Sequence, residues 1–391
     1  MFMKKIQSVF LCMLLVSMCV LPCAAAEELP PMQVEIAAKA GILVDADSGK
    51  VFMAQNAHHR LYPASVTKIM TLLLVVEAID EGRISLNDTV TAGREACEKG
   101  GSQIWLEEGE QMTVDELLKA AAVASANDAC EALAEYVAGS SAAFVNRMNE
   151  RAEELGMHDT NFENCTGLDD TAENHKTSAY DIALMSRELL KHQRIMQYTT
   201  IWMDSLRDGK TELTNTNKLV RFYEGATGLK TGTTSKAGCC VAASAERDGL
   251  HLIAVVLGSD SSDARFNSAR AMLDWGFANY ESVELTVDST QIPAVSVLHG
   301  MTDSIQPQIP ETKKVVLKKG KKSAVTQEID LAASVEAPVE AGQLLGRVIF
   351  QSAGETVCTY DLTNATAVER LTFAEAFRRI LCILCQSCTG L

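Results

Sequence analysis

The sequence predicts an α+β protein: an antiparallel sheet with helices packed on it, then a small β-sandwich, then an amphipathic C-terminal helix. Three observations predict it. Strand-like segments stand at both ends of the region 35–280, with a block of helix-period segments between them. This order of strands, helices and strands lacks the strict βαβ alternation of a parallel sheet. From about Glu281 onward, short β-rich pieces alternate with Pro, Gly and charged turns.

Residues 1–26 stand outside this architecture and read as a secretory signal peptide. Lys4 and Lys5 form a basic n-region, Val9 to Leu21 an apolar h-region, and Ala24-Ala25-Ala26 a small-residue cleavage site. The apolar run is shorter than a bilayer span requires, and Pro22 is a poor residue to precede a lipidated Cys23. Three of the 12 cysteines, Cys12, Cys19 and Cys23, fall in this segment and leave an odd number behind. No disulfide scaffold is expected in a chain of 391 residues with that count. The formal charge of -16 excludes nucleic acid as a partner, because neutralising phosphates takes clustered Lys and Arg. Loss of Lys4 and Lys5 makes the mature chain more acidic still.

The first domain, 35–280, opens with "KAGILVDADSGKVFMAQNA", two strands joined at Asp47-Ser48-Gly49. "YPASVTK" (Tyr62 to Lys68) then runs into the apolar segment "IMTLLLVVEAID". Helical periodicity dominates the middle of the domain, in "TVDELLKAAAVA", "AAFVNRMNERAEELG" and "SAYDIALMSRELLKH". Strands return in "ATGLKTGTTSKAGCCVAASAERDGLHLIAVVLGS", where Asp248-Gly249 closes a second hairpin, and "DARFNSARAMLDWGFANY" is a final helix. The second domain, 281–367, contains "VELTVD", "KKVVLKKG", "GQLLGRVIF" and "ETVCTYDL", which suggest a sandwich without a cluster of reactive residues.

The tail, 368–391, places Phe373, Phe377, Ile380, Leu381 and Leu384 on one helical stripe and Arg378 and Arg379 on another face. It is too short and too charged to span a bilayer, so an interfacial helix on a membrane surface is expected; docking on the β-domain is the alternative. Cys382, Cys385 and Cys388 repeat every three residues there, but a metal site would need a fourth ligand, and small apolar helix positions explain them better.

Ser65 and Lys68 share a helix face, so a hydroxyl and an amine can touch there. Helix capping by Ser65 or Thr67 is the plainer alternative. Two further elements separate these readings: Ser125-Ala126-Asn127 after an alanine-rich helix, and Lys230-Thr231-Gly232 on a strand. S-x-x-K, S-x-N and K-T-G in that order match the signature of penicillin-binding proteins and class A β-lactamases. On these residues the chain resembles the low-molecular-weight penicillin-binding proteins that are serine-type D-alanyl-D-alanine carboxypeptidases (peptidase family S11, DD-peptidase/β-lactamase-like fold). "GSQIWLEEGE", "HKTSAYDIALMSRELL", "NTNKLV" and "GLKTGTTSKAGCC" are similar too, and the resemblance extends to the β-rich domain and the tail.

The resemblance implies removal of the terminal D-alanine from peptidoglycan stem pentapeptides through an acyl-enzyme, inhibition by β-lactams, and no cofactor or metal. It places the protein on the extracytoplasmic face of the bacterial membrane, held peripherally by the tail. Ser65 is the expected nucleophile and Lys68 its base, provided burial and a second cation such as Lys230 keep the amine partly neutral. Backbone N–H groups of Ser65 and, by resemblance, Thr233 would hold the oxyanion. Ser125 is expected to relay a proton to the departing amine, and Asn127 to bond Lys68 and the substrate amide. Lys230, Thr231 and Thr233 are expected to bind the terminal carboxylate, and Gly232 to leave room for the substrate backbone.

Two other residues invite attention. His175 reads as a loop or capping residue because the three motifs already contain a base, and Asp128 as a cap or ion-pair partner. The histidines form no H-E-x-x-H, which excludes the usual zinc carboxypeptidase. No E-x-x-L-N element lies between Ser125 and Lys230, which argues against a β-lactamase. A catalytically silent wall-binding protein is disfavoured by the intact motifs.

Overall fold

The computed structural model describes residues 29–352 and 354–388, with side chains as far as Cys382. The segment 1–26, expected to be a signal peptide, lies outside the described residues.

Strands β1 (Ala40–Asp45) and β2 (Val51–Gln55) form the expected hairpin. Two short hairpins interrupt the helical block, β3 (Thr89–Thr91) with β4 (Gln111–Thr113) and β5 (Met203–Leu206) with β6 (Thr211–Thr214). Then come β7 (Ala226–Thr234), β8 (Gly238–Arg247) and β9 (Leu250–Ser259). The sheet order is β2-β1-β9-β8-β7 with every pair antiparallel, so chain from both ends of the region meets at the β1–β9 junction. Asp248 (φ 50) and Gly249 (φ 76) both take the left-handed conformation that a two-residue hairpin turn requires.

Burial explains why β9 reads as a continuous apolar run. All ten of its residues are buried because both faces of the sheet are covered. On one face Ile42, Val44, Ile253, Val255 and Leu257 join the core around the helix Lys68–Asp80. On the other, Leu43, Leu252, Ala254 and Val256 pack against Phe266, Ala269, Met272 and Leu273 of the helix Ser262–Asn279. The Lys68–Asp80 helix is buried from Lys68 through Val76, so it is central and not amphipathic. Its first turn is thereby held by core packing on every side.

The alanine-rich segment departs from a plain helix. Val114–Lys119 is α-helical, begun by a capping box between Thr113 and Glu116. Ala120–Ala124 then widens into a π-helical turn that stops at Ser125, which adopts φ 63. A new helix, Asn127–Ala138, begins two residues later.

The β-rich part starts at Tyr280, directly after the helix Ser262–Asn279. Strands β10 (Tyr280–Leu285) and β13 (Lys313–Lys318) pair, and β14 (Val325–Leu331), β16 (Leu344–Ser352) and β17 (Glu355–Thr363) form a second sheet. Their shared core contains Val283, Leu285, Leu317, Val348, Phe350, Tyr360 and Leu362. A third small sheet, β11 (Val295–Leu298), β12 (Ser304–Ile305) and β15 (Ser334–Glu336), builds its own core with Val339, Leu345 and Val368. The expected sandwich is therefore present with an additional sheet beside it.

Phe373–Cys388 is helical, as its periodicity predicts. Phe373, Phe377, Ile380 and Leu381 are exposed, while Arg379 donates to Asp303 Oδ1 and to Met301 O, both at 2.6 Å. One polar edge is thus tied to the β-rich part and the apolar stripe is left open. Among the described residues no helix is long and apolar enough to cross a membrane. The side chains of Leu384, Cys385 and Cys388 lie outside the described residues, as does any metal site they would form with Cys382.

Tyr360 is the polar pin of the larger β core: its fully buried hydroxyl donates to Leu285 O (2.5 Å) and accepts from Lys313 N (2.7 Å). Tyr360→Phe leaves both backbone groups without that partner, and urea denaturation should show a loss of about 1–3 kcal/mol. An unchanged midpoint would contradict this role.

Candidate active site

The site begins with a strained turn. Ala64 stands at φ 49, a left-handed conformation that costs an alanine about 1–2 kcal/mol. It opens a 3₁₀ turn, Ala64–Thr67, that leads straight into the helix at Lys68, and no side chain caps either element. Ser65 is therefore not the cap. Its Oγ lies 2.9 Å from Lys68 Nζ.

Lys68 is fully buried and its amine has three neighbours: Ser65 Oγ, Asn127 Oδ1 at 2.6 Å and Thr166 O at 2.7 Å. Amide and carbonyl oxygens only accept, so these two take N–H bonds and the third direction points at the serine hydroxyl. Asn127 is itself fixed, donating from its backbone N to Ser102 O (2.7 Å) and from Nδ2 to Gly100 O (2.6 Å). Buried Asp128 caps neighbouring chain by accepting from the backbone N of Ile104 and of Leu106. Ser125, almost fully buried, is held in its left-handed conformation between the π-helical turn and the Asn127 helix. Among the described residues it makes no direct hydrogen bond to Lys68 or Lys230.

The loop carrying Thr166 O is locked twice. Asn164 Oδ1 accepts from the backbone N of Thr166 (3.1 Å) and of Gly167 (2.7 Å). Gly167 has φ 86, and a Cβ there would fall 1.9 Å from Ala64 O. Behind the Ser65 turn, buried His175 accepts from Glu163 N at Nδ1 (3.0 Å) and meets Thr67 Oγ1 at Nε2 (2.7 Å). Burial, then the charge of Lys68, pushes its pKa down to about 4. A neutral ring accepting at Nδ1 carries its proton on Nε2 and donates it to Thr67. His175 is thus a loop staple and not a base.

Strand β7 forms the other wall and is the edge of its sheet, with one side unpaired. A Cβ at Gly232 would lie 2.8 Å from Pro63 O, 2.8 Å from Ser65 N and 2.9 Å from Ala64 Cβ. The space expected to serve a substrate backbone is taken by the protein's own turn. Gly232 lets β7 approach Ser65. Thr231 Oγ1 donates to Thr216 Oγ1 (2.7 Å), whereas Thr233 is exposed and accepts from Arg265 Nη1 at 2.9 Å. Arg265 Nη1 also donates to Gly232 O (2.9 Å) and Cys240 O (3.2 Å), clamping the strand.

Lys230 is as buried as Lys68, but among the described residues its amine donates only to Thr231 O, at 3.2 Å. Burial, followed by the repulsion of Lys68, pushes Lys230 well below the ordinary lysine range. Burial also lowers Lys68, opposed by nearby groups including Asp128. Two buried amines this close do not both carry a full charge without an anion.

Residues 25–261 match the D-alanyl-D-alanine carboxypeptidase family, peptidase family S11, and residues 280–370 match the C-terminal domain of penicillin-binding protein 5. The chain belongs to the S11 D-alanyl-D-alanine carboxypeptidases. Within the family, the D-alanyl-D-alanine carboxypeptidase DacF of Bacillus subtilis is 40% identical over 348 residues, covering 88% of this chain and 89% of that protein. Penicillin-binding protein 5 from Haemophilus influenzae superposes with a TM-score of 0.77 at 30% identity, over 87% of this chain and 99% of that one. Penicillin-binding protein D2 from Listeria monocytogenes, solved in an ampicillin-bound form, matches 63% of this chain and 100% of its own, with a TM-score of 0.58 and 30% identity.

In this S11 chain the Lys68 amine contacts both Ser65 and Asn127, and Lys230 is close enough to sense its charge. Sequence reasoning missed Thr166, Gly167, Thr216 and Arg265. Thr166 acts through a carbonyl, which no residue type announces. Gly167, in "NCTGL", was the readable clue. Gly167→Ala combines a disfavoured φ with a collision against Ala64 O. It should lower the melting temperature and remove reactivity at Ser65 together; a thermal scan paired with labelling by a serine-directed phosphonate tests this, and retention of both would contradict the assignment.

Proposed function

We propose that this chain is a serine-type D-alanyl-D-alanine carboxypeptidase that cuts the last D-alanine from peptidoglycan stem pentapeptides through an acyl-enzyme on Ser65. The observation that carries the reading is the buried amine of Lys68, set between Ser65 Oγ, Asn127 Oδ1 and Thr166 O. Ser65 Oγ attacks the carbonyl of the penultimate D-alanine while its proton moves to neutral Lys68. The backbone N–H groups of Ser65 and Thr233 receive the oxyanion, a reading supported by the close approach of Gly232 to Ser65 N. The C–N bond then breaks, and the leaving amine takes a proton through Ser125. Water releases the shortened stem by the reverse sequence, returning Ser65 and Lys68 to their starting forms.

Lys230 meets the terminal carboxylate, with Thr233 at the exposed end of β7 beside it; Thr231 contributes by holding the strand through Thr216. The stem lies along the unpaired edge of β7 as an added strand. A β-lactam enters the same way, and its ring-opened amine stays tethered where water would attack.

Intact-mass spectrometry after treatment with penicillin should show one penicilloyl adduct on the peptide containing Ser65, and D-alanine should be the product from a pentapeptide stem. Ser65→Ala should lose both. Lys68→Arg should lose acylation although the charge remains, because a guanidinium does not deprotonate near neutral pH. Wild-type acylation in Lys68→Arg would move the base elsewhere, and rapid penicillin turnover without an adduct would favour a β-lactamase.

We read the N-terminal segment as an export signal and the tail as a peripheral membrane anchor. Support comes from the exposed Phe373, Phe377, Ile380 and Leu381 stripe beside Arg378. Deleting the residues after Glu369 should shift active enzyme from the membrane pellet to the soluble fraction. Full-length mature protein that stays soluble with vesicles present would contradict the anchor.

A further inference from the structure

On the helix that carries Asn127, Glu131 and Glu135 follow one and two turns later on the same face. Glu95, on the short helix Arg94–Cys97, meets them there, and one carboxylate oxygen of each lies within 4.8 Å of the other two. Acidic clusters at a surface are ordinary. This one has its middle member fully buried: Glu131 Oε2 accepts from Cys165 Sγ (3.1 Å) and pairs with Lys99 Nζ (3.3 Å), while Oε1 has no hydrogen-bond partner among the described residues. A buried carboxylate oxygen without a partner is costly, and one ammonium does not neutralise three carboxylates.

We propose that Glu95, Glu131 and Glu135 form a binding site for a calcium-type divalent cation that ties the Asn127 helix to the segment entering the Gly100–Ser102 loop. The ligand set is all carboxylate oxygen, which suits a hard cation and not zinc or copper. Oxygens within 4.8 Å of one another match ligands around an ion at about 2.3–2.6 Å. Exposed Glu95 leaves the outer coordination positions to water. Gly93 keeps the approach open, since a Cβ there would fall 2.9 Å from Glu135 Oε2.

The site would act on the reaction through position. Lys99 and Gly100 follow Glu95 closely, and Gly100 O and Ser102 O are the acceptors that hold Asn127. Drawing Glu95 toward Glu131 and Glu135 braces both sides of that contact. The cation takes over from the Lys99 ammonium, whose partly exposed side chain swings to solvent.

Calcium titration of the chelator-treated full-length mature protein tests this, by calorimetry and by melting temperature. One saturable site is expected with a dissociation constant on the order of 10⁻⁴–10⁻³ M, together with a rise in melting temperature. Glu95→Gln and Glu135→Gln, outside the core, should each weaken binding by at least about tenfold. Lys99→Gln should tighten it by removing the competing cation. The proposal does not depend on Glu131→Gln, which could disturb folding. Absence of saturable binding up to ~10 mM, well beyond that affinity range, overturns it. Binding unchanged in the Glu95 and Glu135 variants, or not tightened by Lys99→Gln, overturns it equally. None of these outcomes bears on acylation at Ser65, so the carboxypeptidase reading stands or falls separately.

Discussion

Everything in the catalytic half is arranged around two amines that have been taken out of water. An isolated buried ammonium is so unfavourable that it sheds its proton or finds fixed partners. Lys68 finds three oxygens, and each is fixed by a different part of the chain. Ser65 is placed by the strained Ala64 turn, Asn127 by the carbonyls of Gly100 and Ser102, and Thr166 by the side chain of Asn164. The amine cannot relocate without disturbing a helix start, a loop and a turn together. Its buried position makes the surrounding polar geometry obligatory, and that geometry in turn orients the serine.

A buried amine held by three partners also needs a rigid floor, which the sheet and its helices provide. The Lys68–Asp80 helix is enclosed by apolar contacts almost throughout its length, so the first turn has little freedom to shift. Close packing resists small displacements better than surface hydrogen bonds do. Gly232 and Gly167 allow two backbone segments to press on the same turn from opposite walls, and a side chain at either position would push the walls apart. Arg265 then ties Gly232 O and Cys240 O together from beneath the strand. Strain at Ala64 and Ser125 persists because these surroundings over-determine both residues.

Much of this was legible beforehand. Asp248-Gly249 announced a hairpin, the strand-like segments at both ends of the region 35–280 announced a sheet made from distant pieces, and the three motifs announced the site. The unreadable parts have physical reasons. A π-helical turn in Ala120–Ala124 leaves no composition signal, because alanine favours any helical form. Left-handed Ala64 and Ser125 run against residue preference, so propensity points away from them. Thr166 serves through its carbonyl, and Arg265 reaches β7 from a helix two strands later in the chain. The third small sheet in the β-rich part joins β11 to β15 in parallel, a non-local pairing that turn signals do not reveal.

The unequal hydrogen bonding of the two lysines suggests how the site prepares itself. With no anion present, a positive charge is better accommodated on Lys68, with three oxygens around its amine, than on Lys230, with one carbonyl at 3.2 Å. In that state Lys68 is a poor base. On the proposed reading, a terminal carboxylate arriving at Lys230 reverses the preference, since an ion pair in a water-poor site strongly favours the charged amine. Once Lys230 is charged, repulsion between neighbouring cations disfavours a proton on Lys68, and its lone pair turns to the Ser65 hydroxyl. Asn127 Oδ1 and Thr166 O still accept the two remaining N–H groups, so the amine loses its charge without losing its position. Recognition of the substrate's free carboxylate and activation of the nucleophile thereby become one electrostatic event. A peptide that lacks that carboxylate would leave the base protonated as well as unbound.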